Sequence, residues 1–353
     1  SLLSWVFPMR RRSVCLQSFF VVAQSFSRPV SSRFSVHFRL ASPKRSFSSL
    51  RSVTAMSADK FTVALCQTPS VSSALEVSEA RKVALASAKE FVEEAKKKEP
   101  GLSMVILPEM FNCPYGTKFF EPFAETVPGP GEVVNEAESP STAFLVKLAK
   151  ENSIWLIGGS ISEGKEGKVY NTSLALKPDG TIVAKHRKVH LFDINVPGKI
   201  TFKESDTLTA GSEITTFEGP WGTTGLAICY DVRFAELALC MRERGAKVLI
   251  YPGAFNSTTG PAHWKKLMTG RALDTQTFVV ACSPAPSGIE GEYPAYGHSL
   301  VVDPWGETLV EMDDKKGICY ATLDMKRLEE VRASVPISHQ KRTDMFTVKE
   351  GAA

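Results

Sequence analysis

A cysteine stands where an apolar run gives way to a run that favours a helix. Residues 225–234 read GLAICYDVRF, in which Cys229 follows a predicted strand, 224–228, and precedes helix-compatible residues, 234–239. A side chain on a strand-to-helix turn stands clear of its own backbone, and the N–H groups that open a helix favour a thiolate and a developing oxyanion. Cys229 is therefore a candidate nucleophile. On its own, a buried core cysteine is the alternative interpretation.

Two further reactive side chains lie at the ends of predicted strands. Glu109 ends an apolar run, and Lys188 follows the second strand of a hairpin predicted over residues 169–176 and 182–186. Taken singly, they are also compatible with a surface-loop glutamate and a solvated basic edge. Together with Cys229 they form a recognisable mechanism, in which a carboxylate removes the thiol proton, the thiolate attacks a carbonyl carbon and an ammonium holds the oxyanion.

The elements that must position these side chains alternate between strands and helices. Predicted strands cover residues 61–67, 103–107, 154–159, 169–176, 182–186, 224–228, 248–251, 278–283, 299–303 and 317–323, and predicted helices cover 74–98, 142–152, 237–244, 261–275 and 325–333. This alternation is typical of an α/β protein, and adjoining strands indicate mixed sheets covered by helices. No linker follows Lys60, so we predict one catalytic domain over residues 59–353.

Two long segments lack a regular pattern. Residues 111–131 are rich in Pro and Gly, and residues 197–211, which contain Glu204, are predicted to be irregular. Long loops inside compact domains commonly carry function, so residues 111–131 are a candidate functional loop.

The composition is that of an ordinary globular protein with an unusual first segment. The chain has 353 residues, of which 43% are hydrophobic and 23% charged, and no uncharged apolar run is long enough to span a bilayer. Residues 1–58 hold nine of the 42 Lys and Arg residues and no Asp or Glu, which leaves 33 basic against 38 acidic residues. This mildly acidic remainder indicates neither a nucleic-acid partner nor a membrane partner.

The first segment, residues 1–58, has the basic, Ser-rich composition of an organellar targeting leader, either mitochondrial or plastid. A disordered basic tail is the alternative. Met9 and Met56 are both plausible starts, and translation from Met56 would leave the protein in the cytoplasm.

The cysteines give no sign of a disulfide framework or a metal site. The seven residues include no Cys-x-x-Cys pair, so we expect reduced thiols. No spacing of His, Cys and carboxylate residues suggests a metal centre.

Three blocks of the sequence resemble, in family order, the signature blocks of the nitrilase superfamily of C–N hydrolases. They are VILPE at residues 105–109, HRKVHLF at 186–192 and GLAICYDVRF at 225–234. The similarity extends from Phe61 to the C-terminal region. It implies an α/β fold in the form of a four-layer αββα sandwich, with two mixed sheets covered by helices. It also implies no metal or organic cofactor, and a homodimer or higher homo-oligomer.

The same resemblance implies a Glu-Lys-Cys triad of Glu109, Lys188 and Cys229. Glu204 matches the second glutamate of the family, which orients the lysine, although a surface ion pair is the alternative. The backbone N–H of Tyr230 is expected to join Lys188 in binding the oxyanion.

The residues around the nucleophile indicate a branch of the superfamily. The triplet Cys229-Tyr230-Asp231 differs from the Cys-Trp-Glu of true nitrilases, and PYG at 114–116 and YPGAFN at 251–256 look like the omega-amidase branch. The implied substrates are small 2-oxo acid amides, chiefly 2-oxoglutaramate and also 2-oxosuccinamate. Amidases of deaminated glutathione and a non-catalytic scaffold are the alternatives.

A substrate of this kind needs a cation for its free carboxylate. Arg233 is the candidate, because a guanidinium can bind a carboxylate through two hydrogen bonds. An ion pair at the helix N-terminus is its alternative role. Weaker pocket candidates, for which loop packing is the alternative, are Tyr115, Phe255 and Thr259.

Overall fold

The computed structural model describes residues 59–351. The predicted leader, residues 1–58, lies outside the described residues. The strands are β1 (Lys60–Gln67), β2 (Leu102–Ile106), β3 (Trp155–Ile157), β4 (Ile161–Lys165), β5 (Lys168–Leu176), β6 (Ile182–Arg187), β7 (Asp193–Val196), β8 (Ile200–Lys203), β9 (Thr215–Gly219), β10 (Gly222–Leu226), β11 (Val248–Pro252), β12 (Phe278–Cys282), β13 (Leu300–Val302), β14 (Thr308–Glu311) and β15 (Gly317–Asp324). The α-helices are α1 (Val77–Lys98), α2 (Thr117–Phe120), α3 (Pro140–Asn152), α4 (Ala235–Glu243), α5 (Gly260–Thr275), α6 (Met325–Ser334) and α7 (Ile337–Gln340).

The first sheet has seven strands in the order β15-β1-β2-β3-β5-β4, with β6 also paired to β5. Strands β1, β2 and β3 are parallel, because α1 and α3 provide the crossovers between them. The remaining pairs are antiparallel, and two of them, β4 with β5 and β5 with β6, are joined by short turns. Glu109 follows β2 and Lys188 follows β6, so both side chains come from this sheet.

The second sheet has six strands in the order β14-β13-β12-β11-β10-β9. Its parallel centre, β10, β11 and β12, is connected through α4 and α5, and its outer pairs are antiparallel. Cys229 follows β10, so the candidate nucleophile comes from this sheet. The two mixed sheets therefore contribute different members of the predicted triad.

Three apolar clusters define the layers. Side chains of both sheets, such as Leu65, Ile106 and Ile250, meet in the central cluster. A second cluster packs α1 and α3 on the outer face of the first sheet, and a third packs α4 and α5 on the outer face of the second. The layer order is therefore helix, sheet, sheet, helix, and the predicted αββα sandwich is confirmed.

The main difference from the sequence prediction lies in residues 197–211. The sequence predicts an irregular segment, but β8 lies within it and forms a two-stranded hairpin with β7, which ends just before it, and Glu204 follows β8. Gly198, at φ 71°, lies in the turn between the strands. The exposed and half-buried side chains of the hairpin produce no apolar run that would have indicated it. No helix among residues 59–351 is both long and apolar enough to cross a membrane.

Candidate active site

Cys229 occupies the turn predicted for it. After β10 the chain enters a short 3₁₀ turn, Cys229–Arg233, and α4 follows. The φ angle of Cys229 is 46°, in the left-handed region that residues other than glycine seldom adopt. The backbone N–H of Ala254 points at the Cys229 sulfur, with 3.5 Å between nitrogen and Sγ. A strained backbone thus presents the thiol to the neighbouring loop after β11.

Glu109 lies on the turn after β2 and is buried. Its Oε1 accepts hydrogen bonds from Lys188 Nζ and from Asn171 Nδ2, each at 2.8 Å. Its other oxygen, Oε2, has no hydrogen-bond partner within 59–351. One carboxylate oxygen is therefore held in place while the other is free to exchange a proton.

Lys188 is fully buried, which a lysine tolerates only when its charge is paired. Its Nζ lies 2.8 Å from a carboxylate oxygen of Glu109 and 2.8 Å from one of Glu204. The basic run that contains it is not a solvated edge, because strand alternation separates its members. His186 and Lys188 are buried, whereas Lys185 and Arg187 are partly exposed and bind the buried carboxylate of Glu163.

Glu204 is fully buried and is not a surface ion pair. Besides Lys188, it accepts hydrogen bonds from the hydroxyl of Tyr115 at 2.8 Å and from the backbone N–H of Phe192 at 2.7 Å. Three donors thus fix this carboxylate, which in turn holds the ammonium of Lys188.

The protonation states follow from burial and charge. Burial alone would lower the pKa of Lys188, but Glu109 and Glu204 outweigh it and raise that pKa well above its ordinary value. Burial raises the pKa of the Cys229 thiol, and the nearby Glu109 carboxylate raises it further. Burial also raises the pKa of Glu109, although Lys188 opposes that shift. Lys188 therefore stays charged, while Cys229 needs a base to become a thiolate.

Tyr115 and Tyr293 form an aromatic wall beside these groups. Their ring centroids lie 4.3 Å apart, and both line a small cavity of about 10 Å³ that also touches Glu109. The hydroxyl of Tyr293 donates to the backbone carbonyl of Ala254 at 2.7 Å. Tyr293 thus joins the wall to the loop that contacts the Cys229 sulfur.

Sequence reasoning missed two residues of this site. Tyr293 belongs to none of the signature blocks and left no signal in the sequence. Asn171, the donor to Glu109, stands in a strand that the sequence predicts, β5, but nothing in the sequence shows that the structure buries it fully. A buried polar residue inside a strand requires a partner.

Two of the predicted substrate-binding residues, Arg233 and Thr259, have different surroundings. The guanidinium of Arg233 lies over the rings of Phe255 and Tyr230, at 5.0 and 5.3 Å from their centroids. Its Nη1 lies 3.3 Å from Nδ1 of His263, and it makes no ion pair with an acid among residues 59–351. Its predicted alternative, an ion pair at the helix start, is absent over the same residues. The hydroxyl of Thr259 instead contacts Asn256 Oδ1 at 3.4 Å at the start of α5.

A larger cavity, of about 630 Å³, lies elsewhere, against β5, β6 and β9. Five basic residues line it, and three of them are already paired, since Arg187 and Lys185 bind Glu163 and Arg244 binds Glu350. No cysteine lines it. The cluster around Cys229 is therefore the better candidate for chemistry.

A buried lysine between two glutamates, beside a cysteine on a strand-to-helix turn of an αββα sandwich, is the arrangement that the nitrilase resemblance implies. The carbon-nitrogen hydrolase family model matches residues 62–333. The chain belongs to the carbon-nitrogen hydrolase family, and it is a hydrolase of amide C–N bonds.

Known relatives agree with this membership. The chain is 50% identical to Omega-amidase NIT2 of Mus musculus over 275 residues, covering 78% of this chain and 95% of the relative. It is 48% identical to Omega-amidase NIT2 of Homo sapiens with the same coverage. Among solved structures, Saccharomyces cerevisiae Nit3, a member of branch 10 of the nitrilase superfamily, matches with a TM-score of 0.72 at 41% identity, covering 81% of this chain and 98% of Nit3.

Proposed function

We propose that this protein is an omega-amidase that hydrolyses 2-oxoglutaramate, and also 2-oxosuccinamate, to the 2-oxo dicarboxylic acid and ammonia through a Cys229 thioester. The observation that carries the chemistry is the fully buried Lys188 ammonium, held by Glu109 and Glu204 beside Cys229. The identity of about half of all aligned positions to omega-amidases supports this choice of branch.

Acylation begins at the free oxygen of Glu109. This oxygen takes the proton of the Cys229 thiol, and the sulfur attacks the carbonyl carbon of the side-chain amide. The resulting oxyanion is held by Lys188 Nζ and the backbone N–H of Tyr230. Collapse of the tetrahedral intermediate breaks the C–N bond, and Glu109 returns its proton to the departing nitrogen, so that ammonia leaves.

Deacylation repeats the same proton transfers with water. Glu109 accepts a proton from water while the oxygen attacks the thioester carbon. The C–S bond then breaks, the 2-oxo acid leaves, and the thiolate of Cys229 recovers the proton from Glu109. Glu204 keeps Lys188 in place throughout, because it accepts a hydrogen bond from the same ammonium.

Substrate choice depends on the free carboxylate at the far end of the amide. Arg233 is proposed to bind it, because the guanidinium lies over two aromatic rings and has no acidic partner of its own within residues 59–351. Burial lowers the pKa of Arg233, yet a guanidinium remains charged at neutral pH. Tyr115, Phe255 and Thr259 are the proposed surrounding residues.

The decisive experiment measures ammonia release by the full-length protein from 2-oxoglutaramate and from deaminated glutathione. We expect a higher kcat/KM for 2-oxoglutaramate, and loss of turnover with both amides in Cys229→Ala. A clear preference for deaminated glutathione would replace the proposed substrate. No turnover of either amide by the intact protein would favour a non-catalytic scaffold.

Two further expectations stay proposals. The basic, Ser-rich residues 1–58 are proposed to direct the protein to a mitochondrion or plastid, which imaging of a fluorescent fusion of residues 1–60 would test. A homodimer or higher homo-oligomer is proposed from the family resemblance, and sedimentation of the purified protein would test it.

A further inference from the structure

Asp231 stands two residues after Cys229, and its carboxylate is fully buried. Its Oδ1 lies 2.9 Å from the backbone nitrogen of His190 and 2.8 Å from Nδ1 of the same residue. Its Oδ2 lies 3.0 Å from the backbone nitrogen of Ile228 and 3.2 Å from Nε2 of His186. Four nitrogen atoms from two separate segments therefore converge on one carboxylate.

These two segments carry opposite sides of the site. The two histidines stand two residues before and two residues after Lys188, and Ile228 directly precedes Cys229. The Asp231 carboxylate thus joins the end of β6 in the first sheet to the turn after β10 in the second. This connection is made within a few residues of both reacting groups.

The turn itself depends on Asp231. Its backbone N–H donates to the carbonyl of Ile228 at 3.0 Å, while its side chain accepts from the N–H of the same residue. These two bonds enclose Cys229, whose φ angle of 46° is unfavourable for a residue with a Cβ. A strained conformation persists only when its surroundings hold it.

The charge of Asp231 is maintained by its donors. Burial would raise the pKa of this carboxyl, but the hydrogen bonds from His186 and His190 outweigh it and hold that pKa below its ordinary value. Each of the two imidazole rings also has a second contact. His186 Nδ1 lies 2.9 Å from the hydroxyl oxygen of Thr215, and the His190 ring stacks on Phe234 with 3.6 Å between centroids.

We propose that Asp231 is a positioning residue, which clamps the Cys229 turn to the Lys188 segment and so sets the distance between nucleophile and oxyanion holder. The proposal deepens the proposed function and rests on it for the roles of Cys229 and Lys188. Asp231 acts through these groups and does not itself contact the reacting atoms.

The first test is Asp231→Asn, which keeps the side-chain volume. The amide places an NH₂ donor where two donors already converge, so one side of the clamp must open. We expect kcat per folded molecule to fall about 10²-fold, the loss typical of a small misplacement of reacting groups, while KM stays within about threefold. An unchanged kcat per folded molecule would overturn the proposal.

Asp303→Asn is the matched control. This carboxylate is also buried and accepts from the backbone N–H groups of Trp305 and Glu307, in a turn that is remote in sequence from the signature blocks. It should lower the melting temperature without changing kcat per folded molecule. If both variants lower kcat per folded molecule equally, Asp231 is merely structural.

His190→Phe provides a second variant in case Asp231→Asn fails to fold. The phenyl ring keeps the stack on Phe234 but loses the ring-nitrogen bond to Asp231, while the backbone N–H bond at position 190 remains. We therefore expect a smaller misplacement, with kcat lowered by about tenfold. In the double variant, His190→Phe should lower kcat little beyond the effect of Asp231→Asn, because both changes disturb the same bond between the His190 ring and Asp231. If the reductions in kcat of the two single variants multiplied fully in the double variant, the clamp would be contradicted.

Alkylation of Cys229 by iodoacetamide, followed by peptide mass spectrometry, requires no substrate. Opening the clamp moves the thiol away from the Lys188 ammonium, whose charge lowers the pKa of the thiol, so alkylation should slow by about tenfold in Asp231→Asn, in proportion to the thiolate fraction. If the wild-type protein released no ammonia from any amide, the proposed function would fail, yet this ratio would still test the clamp. An unchanged alkylation rate would argue against the clamp.

Discussion

At the residue scale, the proposed chemistry depends on the ammonium charge of Lys188, which could not be buried without a partner. Removing an ion from water without a partner costs several kcal/mol, and breaking a buried pair by deleting one partner typically costs about 3–5 kcal/mol. Lys188 avoids this cost through two carboxylates. The same pairing leaves Glu109 with one unbonded oxygen, so electrostatic stability and the proposed proton transfer use a single cluster.

Arg233→Lys tests the proposed carboxylate contact. An ammonium cannot reproduce the two parallel hydrogen bonds of a guanidinium, so kcat/KM for 2-oxoglutaramate should fall by about 10-fold to 100-fold, roughly 1.4–3 kcal/mol. Butyramide, which has no carboxylate, should lose much less. The measurement is ammonia release with both amides.

Arg342→Lys is the control for this change, because Arg342 is exposed and pairs with Asp344. It should leave both amides unaffected. If Arg233→Lys lowered kcat/KM equally for 2-oxoglutaramate and butyramide, the arginine would have no specific role toward the carboxylate.

At the element scale, the site is built where strands stop. Glu109, Lys188 and Cys229 follow β2, β6 and β10, and each lies on backbone that has just left a ladder of hydrogen bonds. The turn after β2 is held from the side by the connection between β3 and β4. Ser160 of that connection donates its N–H to the carbonyl of Pro108 at 3.2 Å, and its hydroxyl accepts from the N–H of Met110 at 2.9 Å.

Gly159→Ala should disturb this support. Gly159 has a φ of 60°, and an added Cβ would lie 2.1 Å from the carbonyl oxygen of Pro108, which directly precedes Glu109. The clash must displace the Glu109 turn, so we expect both a lower melting temperature and a lower kcat per folded molecule. Thermal unfolding and ammonia release measure the two effects.

Gly167→Ala is the matched control, since Gly167 has a φ of 74° but an added Cβ would meet nothing within 4 Å. It carries only the conformational penalty of about 1–2 kcal/mol and should retain kcat. Equal effects of both alanines on stability and kcat would show that backbone strain, and not contact with the Glu109 turn, is responsible.

At the scale of the whole molecule, the site spans two sheets. Glu109 and Lys188 come from the first sheet and Cys229 from the second, so their separation depends on how the sheets pack. The central cluster between the sheets sets that spacing, and close-packed interiors transmit changes in volume. Stability and catalytic geometry are therefore coupled through the same apolar layer.

Ile250→Ala should reveal this coupling. Ile250 is fully buried in the central cluster, and its truncation should lower the free energy of unfolding by about 2–5 kcal/mol. Urea midpoints measured by far-UV circular dichroism and by activity should shift together. Leu309→Ala, at a side chain that is 42% exposed, should change either midpoint little.

Separate shifts of the two midpoints after Ile250→Ala would mean that the site does not depend on the packing between the sheets. A shift as large in Leu309→Ala would mean that burial at position 250 is not the cause.

The sequence by itself predicted most of the strands and helices and which reactive residues stand at their ends, although not β4, β9 or the hairpin of β7 and β8. Apolar runs that end at Glu109 and Cys229 predicted strand ends, and the alternation of strands with helices predicted the α/β layers. These features are local, because strand and helix periodicities are properties of neighbouring residues. The family resemblance added the candidate roles, and the fold it implied is the fold observed.

Only the tertiary structure decided which side chains meet. Lys188 and Glu109 are 79 positions apart, Asn171 and Glu109 are 62 apart, and Tyr115 and Glu204 are 89 apart. No local pattern encodes such pairs, since each depends on how two strands or loops stack in space. Local propensity therefore predicted the strand ends, whereas burial and long-range hydrogen bonding decided which residues surround Cys229.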